Sequence, residues 1–209
     1  MSHYNKDYFD WQKNSGALGG DVEQFKFSSF IKKGDNVIDF GCGGGYILGN
    51  LQCLGKFGIE PNSNAREVCK QNGVPCVANA DEIPDLWADV IISNHALEHC
   101  FQPLDEVKKL FPKLRHGGKI IFVTPLEKNN SWKPNDINQH LYTWSEMNLG
   151  NIFTLAGFKV LEVQELKHRW PPYSITIRKW IGTTGFHLLS RIWARMSSEI
   201  SQVRLVAEK

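Results

Sequence analysis

Val37-Ile38-Asp39-Phe40-Gly41-Cys42-Gly43-Gly44-Gly45 is the stretch that decides the fold. β-Branched Val37 and Ile38 begin a buried strand, and Asp39 stands near its end. Gly41, Gly43, Gly44 and Gly45 allow a tight turn that leads into a helix from Tyr46. No side chain covers the main chain at these glycines. N–H groups at a helix N-terminus can therefore approach a ligand closely.

Outward from this turn, apolar runs recur at strand–helix spacing. Strands are predicted at 36–40, 56–60, 74–77, 89–93, 119–124, 158–166 and 203–207. Val90-Ile91-Ile92 and Ile120-Ile121-Phe122-Val123 are continuous rather than alternating, as in strands covered on both faces. Helices are predicted over 46–53, from Pro61-Asn62-Ser63 to Gln71, over 104–114, and from a Ser145 cap to Ala156. Residues 126–144 form a polar loop, long enough to carry function in a compact domain. Before the turn, Gly16, Gly19 and Gly20 are expected to break a first short helix, and Asp21 to cap a second. The alternation predicts an open, doubly wound α/β domain.

Composition narrows the class. At 209 residues the chain is long enough for one domain with a full core. Its hydrophobic fraction of 42% is that of a soluble globular protein. A net charge of +2 makes no case for nucleic acid. Five cysteines without a C-x-x-C pair indicate neither a disulfide framework nor a zinc site, and reduced thiols point to a cytoplasmic protein. The polar start, Met1-Ser2-His3-Tyr4, is not a signal peptide, and no apolar run reaches the length of a membrane span. One segment stands apart. From Lys167 to Ser198 there are six Lys or Arg and no Asp or Glu, interleaved with Trp170, Tyr173, Trp180, Phe186 and Trp193. Two readings of 167–199 stay open: a helix packed on the domain or on a dimer partner, and a surface for an anionic or peripheral-membrane contact.

Two nucleotide-type cofactors suit a strand, a glycine turn and a helix: a dinucleotide and S-adenosylmethionine. The dinucleotide fingerprint G-x-G-x-x-G needs a third glycine where the helix closes on the strand. Counting from Gly41 and Gly43, that place is Tyr46, which argues against it. The run from Asp39 to Gly45 resembles the first motif of class I S-adenosylmethionine-dependent methyltransferases. The resemblance continues in register. Ile59-Glu60-Pro61-Asn62 is similar to the acidic end of the family's second strand. Ala78-Asn79-Ala80-Asp81-Glu82-Ile83-Pro84 is similar to the stretch beside adenine. Ser93-Asn94-His95-Ala96-Leu97-Glu98-His99 resembles the fourth motif of the small-molecule branch, and His116-Gly117-Gly118-Lys119 the turn before strand 5. Asn79 departs from the family's usual Asp. Its side-chain oxygen can still accept from an adenine amine, and Asp81 is the neighbouring alternative.

The resemblance implies a Rossmann-like seven-stranded methyltransferase sheet, with strands 1–5 parallel, 6 and 7 at one edge, and helices on both faces. It implies a single domain: a helical lid over 1–34, a cofactor-binding core over 35–166, and 167–199 inserted before the last strand. It implies S-adenosylmethionine as cofactor, held by Asp39, Gly41, Cys42, Gly43, Glu60, Pro61, Asn79, Ala80, Asn94 and His95. Tyr8-Phe9, Trp11-Gln12, Gly19-Gly20 and Lys26-Phe27 resemble small methyltransferases associated with cell-surface polysaccharide synthesis. In the wider family, N-terminal helices often cover the cofactor, which adds Trp11 and Gln12; core packing of these residues is the plain alternative.

Methyl transfer from a sulfonium is an in-line displacement, and a hydroxyl acceptor benefits from a base. His140, at the end of the polar loop, is the candidate base; loop anchoring is its other reading. His99 either faces substrate or makes a supporting hydrogen bond. His95 and His99 lie four apart, but no carboxylate at matching spacing completes a metal site, so no metal is expected. The expected function is methyl transfer to a small-molecule or sugar-linked acceptor, at oxygen, with no nucleic-acid partner. A non-catalytic S-adenosylmethionine-binding protein is the first alternative. An NAD-dependent oxidoreductase is the second, against which stand Tyr46 and the missing Tyr-x-x-x-Lys signature. The D/N-P-P-Y/F signature of base methylation is missing after strand 4, and Pro171-Pro172-Tyr173 lies far from that strand.

Overall fold

The computed structural model describes residues 16–127, 132–134, 136, 138–196 and 200–209. Trp11 and Gln12 lie outside the described residues, as does the Tyr8-Phe9 pair. The strands are β1 (Asn36–Phe40), β2 (Gly55–Ile59), β3 (Cys76–Val77), β4 (Ala88–Asn94), β5 (Leu114–Glu127), β6 (Lys159–Leu166) and β7 (Ile200–Glu208). They form one sheet in the order β3-β2-β1-β4-β5-β7-β6. β1 to β5 pair in parallel. β7 runs antiparallel to β5 on one side and to β6 on the other. This is the expected Rossmann-like arrangement.

The helices are α1 (described over 16–22), α2 (Tyr46–Asn50), α3 (Ser63–Gln71), α4 (Pro103–Leu110), α5 (Glu146–Leu155) and α6 (Ser174–Met196). Local chemistry sets their ends. The Asn62 side chain accepts from Asn64 N–H (2.9 Å) at the start of α3. Ser145 and Asn148 form a reciprocal capping box on α5. Pro103 opens α4, where its missing N–H costs nothing.

The central strands β1 and β4 and the second half of β5 bury both faces, which is why their apolar runs are continuous, whereas the edge strand β6 keeps alternate residues exposed. Ile38, Ile91, Ile120, Phe122 and Leu205 face one core with α4 and α5. Val37, Val90, Ile92, Ile121 and Val206 face the other, with Phe27, Leu48 and Cys69.

The amino-terminal expectation needs correction. Gly16, Gly19 and Gly20 do not break the chain; they lie within α1, and Asp21 sits inside that helix rather than capping one. The glycines form its contact face. A Cβ on Gly20 would lie 2.4 Å from the Tyr46 carbonyl oxygen, and one on Gly16 2.5 Å from the Tyr46 ring. Bare backbone lets α1 rest directly on the start of α2. Glycine's helix-weakening tendency is outweighed by this close approach.

Candidate functional site

The glycine turn leaves β1 with its backbone in the left-handed region at Gly41 (φ 73°), Gly43 (φ 53°) and Gly45 (φ 74°). A Cβ on Gly41 would fall 2.2 Å from the Ala96 Cβ, so the turn can pack on the loop after β4 only as glycine. A Cβ on Gly43 would meet no atom within 4 Å, because that backbone faces open space. Glu60, at the end of β2, accepts from Gly43 N–H (3.0 Å) and Asn62 N–H (2.9 Å). Burial raises its pKa, and these two N–H groups oppose the rise.

Two cavities open at the carboxyl ends of the strands, of about 500 and 510 Å³. They share Gly41, Gly43, His95 and His99 in their walls. Glu60, Pro61, Asn79 and Phe101 line the second. Asp39, Cys42, Asn94, Glu98, Glu127 and His140 line the first, with Lys26, Trp170 and Gln202. The bare turn, the open space at Gly43 and the carboxylate of Glu60 suit a nucleoside with an amino-acid tail. Glu60 and Pro61 would hold the ribose side; Gly41, Gly43, Asn94 and His95 would hold the methionine side.

Several expected contacts shift. Asp39 is buried at the floor of the first cavity, where burial, with Cys76 and Glu60 nearby, holds its carboxyl well above the usual range. Cys42 belongs to the cavity wall, but its thiol points behind the turn, 3.5 Å from Cys76 Sγ and 3.8 Å from Cys69 Sγ. Asn79 is exposed at the cavity rim. Its oxygen accepts from Asp81 N–H (2.9 Å) as the cap of a 3₁₀ turn, which leaves one lone pair for a ligand. Ala80 is buried in the core and lines neither cavity. Asn94 lines the first cavity while its oxygen accepts from Lys26 Nζ (2.9 Å).

The groups that sequence reasoning did not assign are the buried acids Glu23 and Glu98, and Lys26. Lys26 is 1% exposed. It pairs with Glu23, and its Nζ donates to Gln202 Oε1 (2.5 Å) as well as to Asn94. Trp170 Nε1–H donates to Glu23 Oε1 (2.5 Å). Burial pulls the Lys26 ammonium below its ordinary pKa, against the attraction of Glu23. This pair closes the cavity between α1, β4 and β7.

Glu98 is fully buried in a 3₁₀ turn, Leu97–His99. Neither of its carboxylate oxygens has a hydrogen-bond partner among the described residues. Burial pushes its pKa up to about 8. His95 Nδ1 lies 3.7 Å away and His99 Nε2 4.0 Å away. Burial and the Lys26 charge push His95 below its ordinary value.

The polar loop is tied back onto this turn. Leu141 N–H donates to the Glu98 carbonyl (2.9 Å), and Tyr142 Oη–H donates to the Phe101 carbonyl (3.0 Å). These bonds bring the His140 ring edge-on to His99, with centroids 4.9 Å apart. His140 Nδ1 lies 3.1 Å from Glu127 Oε2. Glu98, His99 and His140 each offer one ligand atom, all within 4.8 Å of one another. The expectation that no carboxylate would complete a histidine set is therefore corrected: Glu98, immediately before His99, turns inward, and the second histidine of the set is His140 rather than His95. Such a set is able to take a divalent cation or to move a proton. His95 (φ 56°) and Gln139 (φ 44°) flank the cluster in left-handed conformations, which side-chain-bearing residues adopt at a cost.

Residues 17–163 match the model of the methyltransferase domain family. The chain belongs to this family, and S-adenosylmethionine is its cofactor. It is 26% identical over 149 residues to the mitochondrial ubiquinone biosynthesis O-methyltransferase of Schizosaccharomyces pombe, covering 59% of this chain and 54% of that protein. It is 27% identical over 111 residues to the ubiquinone biosynthesis O-methyltransferase of Proteus mirabilis, covering 47% and 45%. The chain thus spans about half the length of the curated relatives it matches. A crystal structure of a SAM-dependent methyltransferase from Archaeoglobus fulgidus superposes with a TM-score of 0.69 at 17% identity, covering 97% of this chain and 99% of that one; this likeness concerns the fold.

Proposed function

We propose that this chain transfers a methyl group from S-adenosylmethionine to a hydroxyl oxygen of a small-molecule or sugar-linked acceptor. The observation that carries the reading is the Glu98–His99–His140 cluster, set in the wall of the first cavity beside the glycine turn. An amine acceptor needs only to arrive neutral, whereas a hydroxyl must lose a proton as it attacks. A buried acid and two imidazoles are suited to that task. Two relatives whose names specify O-methylation support the same choice.

When bound, S-adenosylmethionine supplies an activated methyl on a sulfonium. The chain positions, deprotonates and excludes water. Glu127 fixes the His140 ring at Nδ1, and with the hydrogen on that nitrogen Nε2 remains an acceptor. His140 Nε2 would take the proton of the acceptor hydroxyl as the hydroxyl oxygen bonds to the methyl carbon and the methyl carbon–sulfur bond breaks, its electron pair leaving with the now neutral sulfur. Trp170 and the Lys26–Glu23 pair close the far wall against water.

The test is incubation with methyl-labelled S-adenosylmethionine and matched sets of phenolic, sugar and amine acceptors. Label should enter hydroxyl acceptors. Label confined to amines would overturn the oxygen assignment. Tight binding of S-adenosylhomocysteine with no labelled product across the sets would favour a non-catalytic binding protein.

A further inference from the structure

α6 carries an outward face that soluble helices rarely show. Gly182 (φ 71°, ψ −179°) divides it into two arms. In the second arm Phe186, Ser190 and Ala194 form the buried stripe. The opposite stripe, Leu188, Ile192 and Met196, is exposed at 62%, 45% and 76%. The first arm adds Trp180 at 86% and Ile181 at 46%, with Tyr173 just before it at 86%. A surface helix ordinarily turns polar residues outward and keeps large apolar ones singly scattered. Here Leu188, Ile192 and Met196 follow one another at four-residue spacing as one outward stripe, and the charges on the two arms that stay exposed are Lys179, Arg191 and Arg195. Arg178 is turned inward to Asp21 (2.7 Å). No acidic residue occurs between Lys167 and Ser198.

We propose that the outer face of α6 docks on an anionic membrane surface and delivers an amphiphilic acceptor to the first cavity. Charge decides between occupants. A second copy placed face to face on α6 would bring cation against cation with no acid from the segment to pair them. An anionic lipid surface offers both partners this face needs: acyl chains for the apolar stripe and headgroups for the three cations. Among the described residues no helix is long and apolar enough to cross a membrane, so the contact is peripheral.

The face is joined to the site. His168, Arg169 and Trp170 line the first cavity immediately before α6. Arg169 N–H donates to the Ser190 carbonyl (3.3 Å), and His168 Nε2 lies 3.1 Å from His187 Nδ1. The segment walling the cavity is therefore bonded to the inner side of the second arm. A molecule anchored in the lipid beside α6 would present its polar end close to that wall.

The docking is read without turnover, so its outcome is independent of the methyl-transfer reading; only the acceptor class rests on that reading. The full chain is floated with phosphatidylcholine vesicles, with and without phosphatidylglycerol. Binding should require phosphatidylglycerol and weaken in about 0.5 M salt. Arg191→Gln and Arg195→Gln should each weaken it about fivefold. Leu188→Gln with Ile192→Gln should abolish it, while affinity for S-adenosylhomocysteine and thermal stability stay at the parent value. Absence of binding to anionic vesicles would overturn the proposal. Binding that survives all four substitutions would overturn it too. A dimer in sedimentation velocity that dissociates on Leu188→Gln with Ile192→Gln would assign the face to a second copy instead. If docking holds, acceptors bearing an alkyl tail should turn over faster on anionic vesicles than in buffer; equal rates would remove the delivery role.

Discussion

Glu98→Gln tests whether the cluster beside the cavity is as desolvated as it looks. In the folded chain the Glu98 carboxyl has its pKa near 8, against 4.5 for an ordinary glutamate. Below the ordinary value both folded and unfolded chains hold the proton, and Glu98 makes no difference to stability. As pH rises from about 4.5 to 8 the unfolded chain ionises first. Folding then requires a proton to be taken up, and stability falls by about 1.4 kcal/mol for each pH unit. By pH 7 the loss is about 3 kcal/mol, an upper figure because water entering the cavity would relieve part of it. Glutamine keeps the shape and cannot titrate. The melting temperature of the parent, measured with chelator present, should fall relative to the variant between pH 5 and pH 8. For a chain of this size the relative fall is about 6–12 °C by pH 7. Other titrating groups are common to both proteins and cancel in the difference. Parallel melting curves across that range would show Glu98 to be hydrated or charge-compensated, and the cluster to be wet.

His140→Ala should lower turnover by about a hundredfold or more, with affinity for S-adenosylhomocysteine kept; unchanged turnover would remove His140 from the chemistry. Titrating the chelated chain with magnesium or zinc at pH 8 should raise the melting temperature of the parent and not of Glu98→Gln, if the three ligand atoms accept a cation; equal shifts would place the ion elsewhere. Lys26→Met should destabilise the fold by about 3–5 kcal/mol, since it leaves Glu23 buried without its cation; denaturant unfolding reads this directly, and a loss under about 1 kcal/mol would mean that Glu23 escapes to water. Gly20→Ala forces a methyl onto the Tyr46 carbonyl and should cost about 1–3 kcal/mol in the same assay, despite alanine's better helix propensity; a gain would show that α1 does not rest on the turn.

The sheet was legible because its signals are local. Val37-Ile38 before the glycines, Val90-Ile91-Ile92 and Ile120-Ile121-Phe122-Val123 each show within a few residues that both faces are covered. The capped starts of α3 at Asn62 and α5 at Ser145 are equally local. The glycine turn and Glu60 announced a nucleoside site for the same reason. What lay hidden depends on distant parts of the chain meeting. Lys26 gave no sign of being a buried cation: with Glu23 it reads as an ordinary surface pair three residues apart, while Asn94 and Gln202, which also hold it, lie 68 and 176 positions away. Gly16, Gly19 and Gly20 read as breakers because the surfaces they fit, Tyr46 for Gly16 and Gly20 and Trp170 for Gly19, are invisible in their own neighbourhood. Glu98 offered one faint signal, an acid inside Ala96-Leu97-Glu98-His99, but only the 3₁₀ turn shows that it points inward. Asn79 lines the second cavity, but the motif gave no sign that its oxygen also caps its own backbone.

The position of β7 bears on how the chain acquires activity during synthesis. β7 is the last strand in sequence, yet it lies between β5 and β6. A nascent chain that has emerged as far as Leu166 can pair β1 to β5 but leaves β6 without a neighbour. Ser201 and Gln202, which line the first cavity, also arrive on β7. Until they do, Lys26 lacks one of its acceptors. The cofactor turn can thus mature early, while the wall of the first cavity is completed only when β7 inserts. A ribosome-bound intermediate should accordingly retain S-adenosylhomocysteine well before it can methylate anything.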